Sequence, residues 1–162
     1  MLNKLKLQSG LNITGKVTLT FEDVKTHKVR QYTYKNLFVT AGKVAVAARL
    51  SGVDSPASTK GVITYCAVGT DATAPDAADT DLGTELARKQ IAVRDYSSNI
   101  ASFRTFFNTS EANGALKEAG LFGDDATSAA DSGTLYCHTA IDKTKTSAET
   151  LTIDWDLTVS TV

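Results

Sequence analysis

Four aspartates, Asp71, Asp76, Asp79 and Asp81, crowd one short stretch of the chain, Gly69 to Gly83, that contains neither Lys nor Arg. Carboxylates at that density are the donors a hard cation such as Ca²⁺ takes, because it fills its shell with oxygen. The spacing matches no EF-hand or Asp-rich repeat, and a solvated acidic loop is the reading we favour. Asp154 and Asp156 stand two residues apart on an alternating strand, so they share a face and resemble a paired-carboxylate site; a wet strand face opposite Lys or Arg has the same pattern. Cys137 and His138 tempt a thiol–imidazole reading. Neighbouring strand residues project to opposite faces, so the two cannot hydrogen-bond within that strand. Cys66 and Cys137 lie far apart in sequence, each inside an apolar run, and read as buried reduced thiols acting as small hydrophobes. His27 sits in a polar turn, where a residue tolerant of left-handed backbone is useful. Gly69-Thr-Asp-Ala-Thr-Ala-Pro lacks the Gly-Lys-Ser/Thr of a phosphate loop, and no Gly-x-Gly-x-x-Gly occurs. Arg30 to Lys35 and Phe103 to Phe107 interleave aromatic and basic residues like a single-strand nucleic-acid platform, but ordinary cross-strand pairing explains both. No catalytic, cofactor-binding or metal-ligating residue is therefore assigned.

The elements that position these residues are strands. The 162 residues suffice for one core, with 23 Thr, 21 Ala, two His and two Cys. A net charge of -1 gives no electrostatic drive toward nucleic acid or an acidic membrane. No run approaches the roughly 18 apolar residues of a spanning helix. Met1 to Leu7 lacks the apolar core of a secretory signal, which predicts a chain made in the cytosol. Residues 13–21 alternate, with Ile13, Val17, Leu19 and Phe21 on one parity, and 28–35 alternate again, predicting a β-hairpin. Thr40 is the expected N-cap of a short Ala-rich helix near residues 41–51, closed by Gly52. Further strands are predicted at 62–68, 85–95, 99–108, 115–122, 134–141 and 150–159, with a tight turn at Asn113-Gly114. The last alternates most cleanly, turning Leu151, Ile153, Trp155, Leu157 and Val159 inward. Short strands without a βαβ rhythm predict a mainly β chain, an antiparallel β-sandwich of jelly-roll type over 13–162, preceded by an N-terminal arm, 1–12.

The order of segments resembles small structural proteins of tailed bacteriophages. The resemblance runs from Gly15-Lys-Val-Thr-Leu-Thr-Phe21 and Lys35-Asn-Leu-Phe-Val-Thr-Ala-Gly42 through Tyr65-Cys-Ala-Val-Gly-Thr70, Ala74-Pro75, Asp79-Thr-Asp-Leu-Gly-Thr-Glu85 and Arg88. It continues with Asn113-Gly114, Glu118-Ala-Gly-Leu-Phe122, Gly133-Thr-Leu135 and Leu151-Thr-Ile-Asp-Trp155. It covers most of the chain; His27, where Gly is commoner, and the two cysteines lie outside the pattern. What it implies is a non-enzymatic virion component of tail, fibre, collar, neck or capsid-decorating type, made in the host cytoplasm. No cofactor, nucleic acid, membrane or small-molecule substrate is expected, and the partners would be other virion proteins and copies of itself. Leu2, Leu5 and Leu7, set among Lys4 and Lys6, are the expected partner contacts, because a segment this short orders only against another surface. The competing reading is a carbohydrate- or receptor-binding tip, which would use exposed aromatics beside the loop aspartates.

Overall fold

The computed structural model describes residues 10–52 and 61–161. Nine strands and one helix follow in the order β1 (Leu11–Asp23), β2 (Val29–Phe38), α1 (Thr40–Ser51), β3 (Ile63–Gly69), β4 (Glu85–Gln90), β5 (Val93–Ser97), β6 (Ile100–Phe107), β7 (Gly114–Gly123), β8 (Thr134–Lys145) and β9 (Glu149–Thr161). They form one antiparallel sheet ordered β4-β3-β7-β8-β2-β1-β9-β6-β5. Mainly antiparallel β structure with one helix is thus as the sequence predicts. Leu2, Leu5 and Leu7 lie outside the described residues, and β1 already begins at Leu11, inside the expected arm.

Alternation builds the centre of the sheet. Val17 pairs with Trp155, Leu19 with Ile153 and Phe21 with Leu151, so one face of β1 and β9 is continuously apolar and wholly buried. Strand β2 makes the bend. Up to Asn36 it pairs with β1, while Leu37 and Phe38 pair instead with His138 and Cys137 of β8. The sheet therefore curls into a half-barrel whose halves face each other across one core. Phe21, Phe107, Leu151 and Trp155 enter it from one side, Cys66, Leu121 and Cys137 from the other. Strands β4 and β5, read from sequence as one strand over 85–95, lie on opposite edges of the sheet. The Ile91 N–H donates to Thr64 O (2.9 Å) and the next, from Ala92, to Arg104 O (2.8 Å), so two residues carry the chain from one edge to the other. Periodicity misses this break because the alternation runs on through it.

Two further expectations give way to tertiary contacts. Thr40 is not the N-cap: Val39 holds that place without a side-chain cap, and the Thr40 N–H is taken by Ala77 O at 2.9 Å. At the other end Gly52 does adopt the left-handed conformation expected of it (φ 65°). Asn113-Gly114 is not a two-residue turn but the end of a loop over 108–113. The Lys145 ammonium, 1% exposed, fills that loop, donating to Asn108 O (2.8 Å) and Asn113 Oδ1 (2.9 Å). Helix α1 lies on β8 so closely that a Cβ on Gly42 would stand 2.7 Å from Tyr136 Cα. No described helix is long and apolar enough to cross a membrane.

Candidate functional site

Chemistry gathers where the acidic stretch meets β7 and β8. Gly120 of β7 lies opposite His138 of β8, and Glu118 sits two residues along the same strand. His138 faces away from Cys137, as strand geometry requires. Its Nδ1 is hydrogen-bonded to Asp79 Oδ2 at 2.7 Å and its Nε2 to Glu118 Oε2 at 3.1 Å. The ring thus bridges the two carboxyl groups, one from the acidic stretch and one from β7. Glu118 is 1% exposed. It also accepts from the backbone N–H groups of Gly83 (2.8 Å), Thr84 (2.8 Å) and Asp71 (3.2 Å). Both ends of the loop over 70–84 thus converge on one carboxylate, and the Thr70 N–H closes the loop on Thr84 O at 2.9 Å. A Cβ on Gly69 would run into that carboxylate, which is why the strand leading to it ends in glycine.

Asp71, Asp79 and Asp81 line one small pocket beside Glu118 and His138, whereas Asp76 does not, and each of the four carboxylates is engaged by its own loop. Asp71 Oδ1 accepts from the N–H and hydroxyl of Thr73, both at 2.9 Å, which hold its carboxyl below the usual range. Asp76 Oδ1 accepts from the Ala78 N–H (2.8 Å), Asp79 Oδ2 from the Asp76 N–H (2.8 Å) and Asp81 Oδ2 from the Thr80 hydroxyl (3.0 Å). These are bonds that shape a loop. Among the described residues no three His, Cys, Asp or Glu side chains are arranged to hold a metal ion.

A buried ion pair pins the neighbouring loop. Arg88 of β4 grips Glu85 through Nε and Nη2, both 2.7 Å, stacks 4.4 Å from the Phe122 ring centre, and reaches Ser132 O at 2.8 Å. Beneath the two loops Val39, Ala67, Leu82, Phe122 and Leu135 form a small second apolar cluster. Asp124, which accepts from the Tyr136 hydroxyl (2.7 Å) and the Gly61 N–H (2.8 Å), ties the start of β3 to the same loop. Burial, then Asp124, raises the Tyr136 pKa.

Asp154 and Asp156 are the wet strand face expected of them. Asp154 pairs with Arg104 (2.6 Å), and Asp156 with the Ser102 hydroxyl (2.8 Å) and Lys16 (3.4 Å). His27 stands at φ 55°, as its turn requires. Both cysteines are free and buried. Burial pushes the Cys66 thiol up to about 12, opposed by Trp155 and Thr105 beside its sulphur, and raises Cys137 as well.

Sequence reasoning missed Glu118 and the partners of His138. The available signal was a carboxylate and an imidazole each standing in an otherwise apolar strand; such groups are seldom buried unless paired. No family model, no curated protein and no solved structure matches this chain.

Proposed function

We propose that the protein is a non-enzymatic structural subunit that joins copies of itself and other proteins in a repeated assembly, of the kind found in tailed-phage virions. The observation that carries this reading is the edge strand β5, which among the described residues pairs with β6 alone. All five of its residues, Val93 to Ser97, are exposed, with Tyr96 79% exposed. An edge of that kind offers backbone hydrogen bonds to another chain. Asp95 Oδ1 covers the Tyr96 N–H at 2.8 Å, a device that restrains indiscriminate pairing while leaving the edge open to a fitting partner. The buried ionic groups support the same reading. Glu118, His138, Arg88 and Lys145 each hold a loop in place, which is what a rigid building block needs. The ordered resemblance to phage structural proteins adds the virion as the assembly, and the two halves of the curled sheet, joined through the two residue pairs of β2 and β8 and facing each other across one core, are what supports reading it as sandwich-like.

The test has two parts. Light scattering on the purified chain should give a mass above that of one copy, falling toward it when Val93 and Tyr96 are both replaced by Lys. In phage particles, a tag on this chain should map to a regular array by electron microscopy. A tag that never sediments with particles overturns the virion assignment, and a monomer at every concentration overturns self-assembly.

A further inference from the structure

We infer that Lys145 and Asn113 react to form an isopeptide bond between Nζ and the side-chain carbonyl carbon, releasing ammonia and stapling the end of β8 to the start of β7. This goes beyond the assembly reading and does not depend on it. Lys145 is 1% exposed, and its side chain enters the loop over 108–113. Nζ lies 2.8 Å from Asn108 O, 2.9 Å from Asn113 Oδ1 and 3.5 Å from Thr146 O. A carbonyl carbon is about 1.2 Å from its oxygen, so Asn113 Cγ stands within about 4 Å of Nζ. A small side-chain rotation brings the two to the roughly 3–3.5 Å of a near-attack geometry. Of these carbonyls, that of Asn113 is the one whose substitution leaves the main chain whole, since attack at either of the others would expel a peptide nitrogen.

Both reactants are held in place. Lys145 lies directly opposite Gly114 across β7 and β8, so the amine and the amide branch from neighbouring points of one ladder. The Asn113 amide donates through Nδ2 to Thr109 O at 2.9 Å, which fixes its plane. Ala112, just before it, is held in the left-handed region at φ 54°, a conformation such a residue keeps only where its surroundings impose it. Positioning of this kind turns an encounter of two reagents into a local step. Burial lowers the Lys145 pKa, opposed by the charges of Glu149 and Glu111, and so enlarges the share of free amine that can attack. Asn113 itself is exposed, which leaves the departing ammonia a way to solvent.

The step balances without a co-reactant. The Nζ–Cγ bond forms and the Cγ–Nδ2 bond breaks. Of the protons on the Nζ ammonium, one stays on the new amide and the others leave with the departing NH₂ group as an ammonium ion. The bond closes a loop over 114–144, which holds both strands that carry Glu118 and His138, and it limits how far that hairpin can spread when the chain unfolds.

The experiment takes the full-length wild-type chain, unfolds it in denaturant, measures its intact mass and maps its tryptic peptides. The expected result is a chain lighter by one ammonia and a branched peptide joining 105–117 to 144–162, cleavage after Lys145 being blocked. In Lys145→Arg the ammonia should be retained and peptide 105–117 should be recovered alone. A wild type of unaltered mass that trypsin cuts after Lys145 overturns the bond. Ammonia lost from peptide 105–117 alone, and lost equally in Lys145→Arg, also overturns it, because that is ring closure of Asn113 on the Gly114 nitrogen. Recovery of Asn113 as aspartate with Lys145 unmodified overturns it as well. Each readout on the wild type is covalent and is taken on unfolded chain, so a folding defect in the variant does not blur the outcome.

Discussion

The two halves of the curled sheet solve the same problem differently. In the half made by β2, β1, β9, β6 and β5, one face enters the core and the other meets water, so Thr14, Lys16, Thr18 and Thr20 alternate with Val17, Leu19 and Phe21. The half made by β4, β3, β7 and β8 has a core face and a second face roofed by loops, and its strands read as apolar runs: Leu121, Phe122, Leu135, Tyr136 and Cys137 are all buried. Roofing a sheet with loops brings backbone N–H groups into the interior, where each needs an acceptor. Glu118 supplies that acceptor for three of them. Charge is thus found inside the half with the drier faces, because irregular backbone is buried there.

Removing the shared core should cost most. Trp155→Ala should lose about 3–5 kcal/mol in chemical denaturation, since a fully buried ring on β9 touches both halves. The Cys66 thiol beside it reports the same event. With its pKa pushed up to about 12 it stays protonated at pH 8, so alkylation should wait on global unfolding in the wild type and quicken in the variant.

The contrast between halves is sharpened by Glu118→Gln. Stability should fall by about 3 kcal/mol, because the amide brings an N–H where three backbone donors need an acceptor. His138→Gln should cost less, and combining the two should cost less than their sum, which a double-mutant cycle measures. If Glu118→Gln is neutral, the carboxylate is not what holds the 70–84 loop. Hydrogen exchange at the Gly83 and Thr84 amides would show release of the loop separately from unfolding.

Arg88→Lys should cost about 1–3 kcal/mol despite keeping the charge, since an ammonium cannot grip Glu85 through two nitrogens while stacking on Phe122. On the wet half the corresponding change should barely register. Arg104→Ala, which breaks the exposed pair with Asp154, should cost under about 1 kcal/mol and less in high salt. A loss there as large as at Arg88 would erase the distinction between the halves.

The smallest effect is pH-dependent. Lys89 donates to both oxygens of Glu111, at 2.8 and 2.6 Å, and holds that carboxyl below its usual range. A depressed carboxyl contributes stability above its unfolded pKa and loses it as pH falls through the folded value. Glu111→Gln should therefore cost under about 1 kcal/mol at neutral pH, and that difference should vanish in acid.

The wet half was legible in the sequence because solvent on one face writes a period of two into the chain. That pattern alone determined β1 and β9, the inward set from Leu151 to Leu157, the outward Asp154 and Asp156, and the separation of Cys137 from His138, while Val159, expected inward with that set, is left 39% exposed at the end of the strand. Gly52 and His27 were equally readable, since each answers to a local backbone requirement. The rest depended on contacts distant in sequence. Asp79, Glu118 and His138 are 39 and 20 residues apart along the chain, and nothing local to any of them announces the others. The break at Ile91–Ala92 was invisible because both neighbouring strands keep the alternation while serving opposite edges. Thr40 stands inside the helix, with Val39 at the cap and the Thr40 N–H held by Ala77 O from the acidic loop, a contact no local pattern announces. Tertiary structure decided these points for one physical reason: a buried hydrogen-bonding group takes whichever partner the fold brings within reach, and the chain's own periodicity records burial but not the partner.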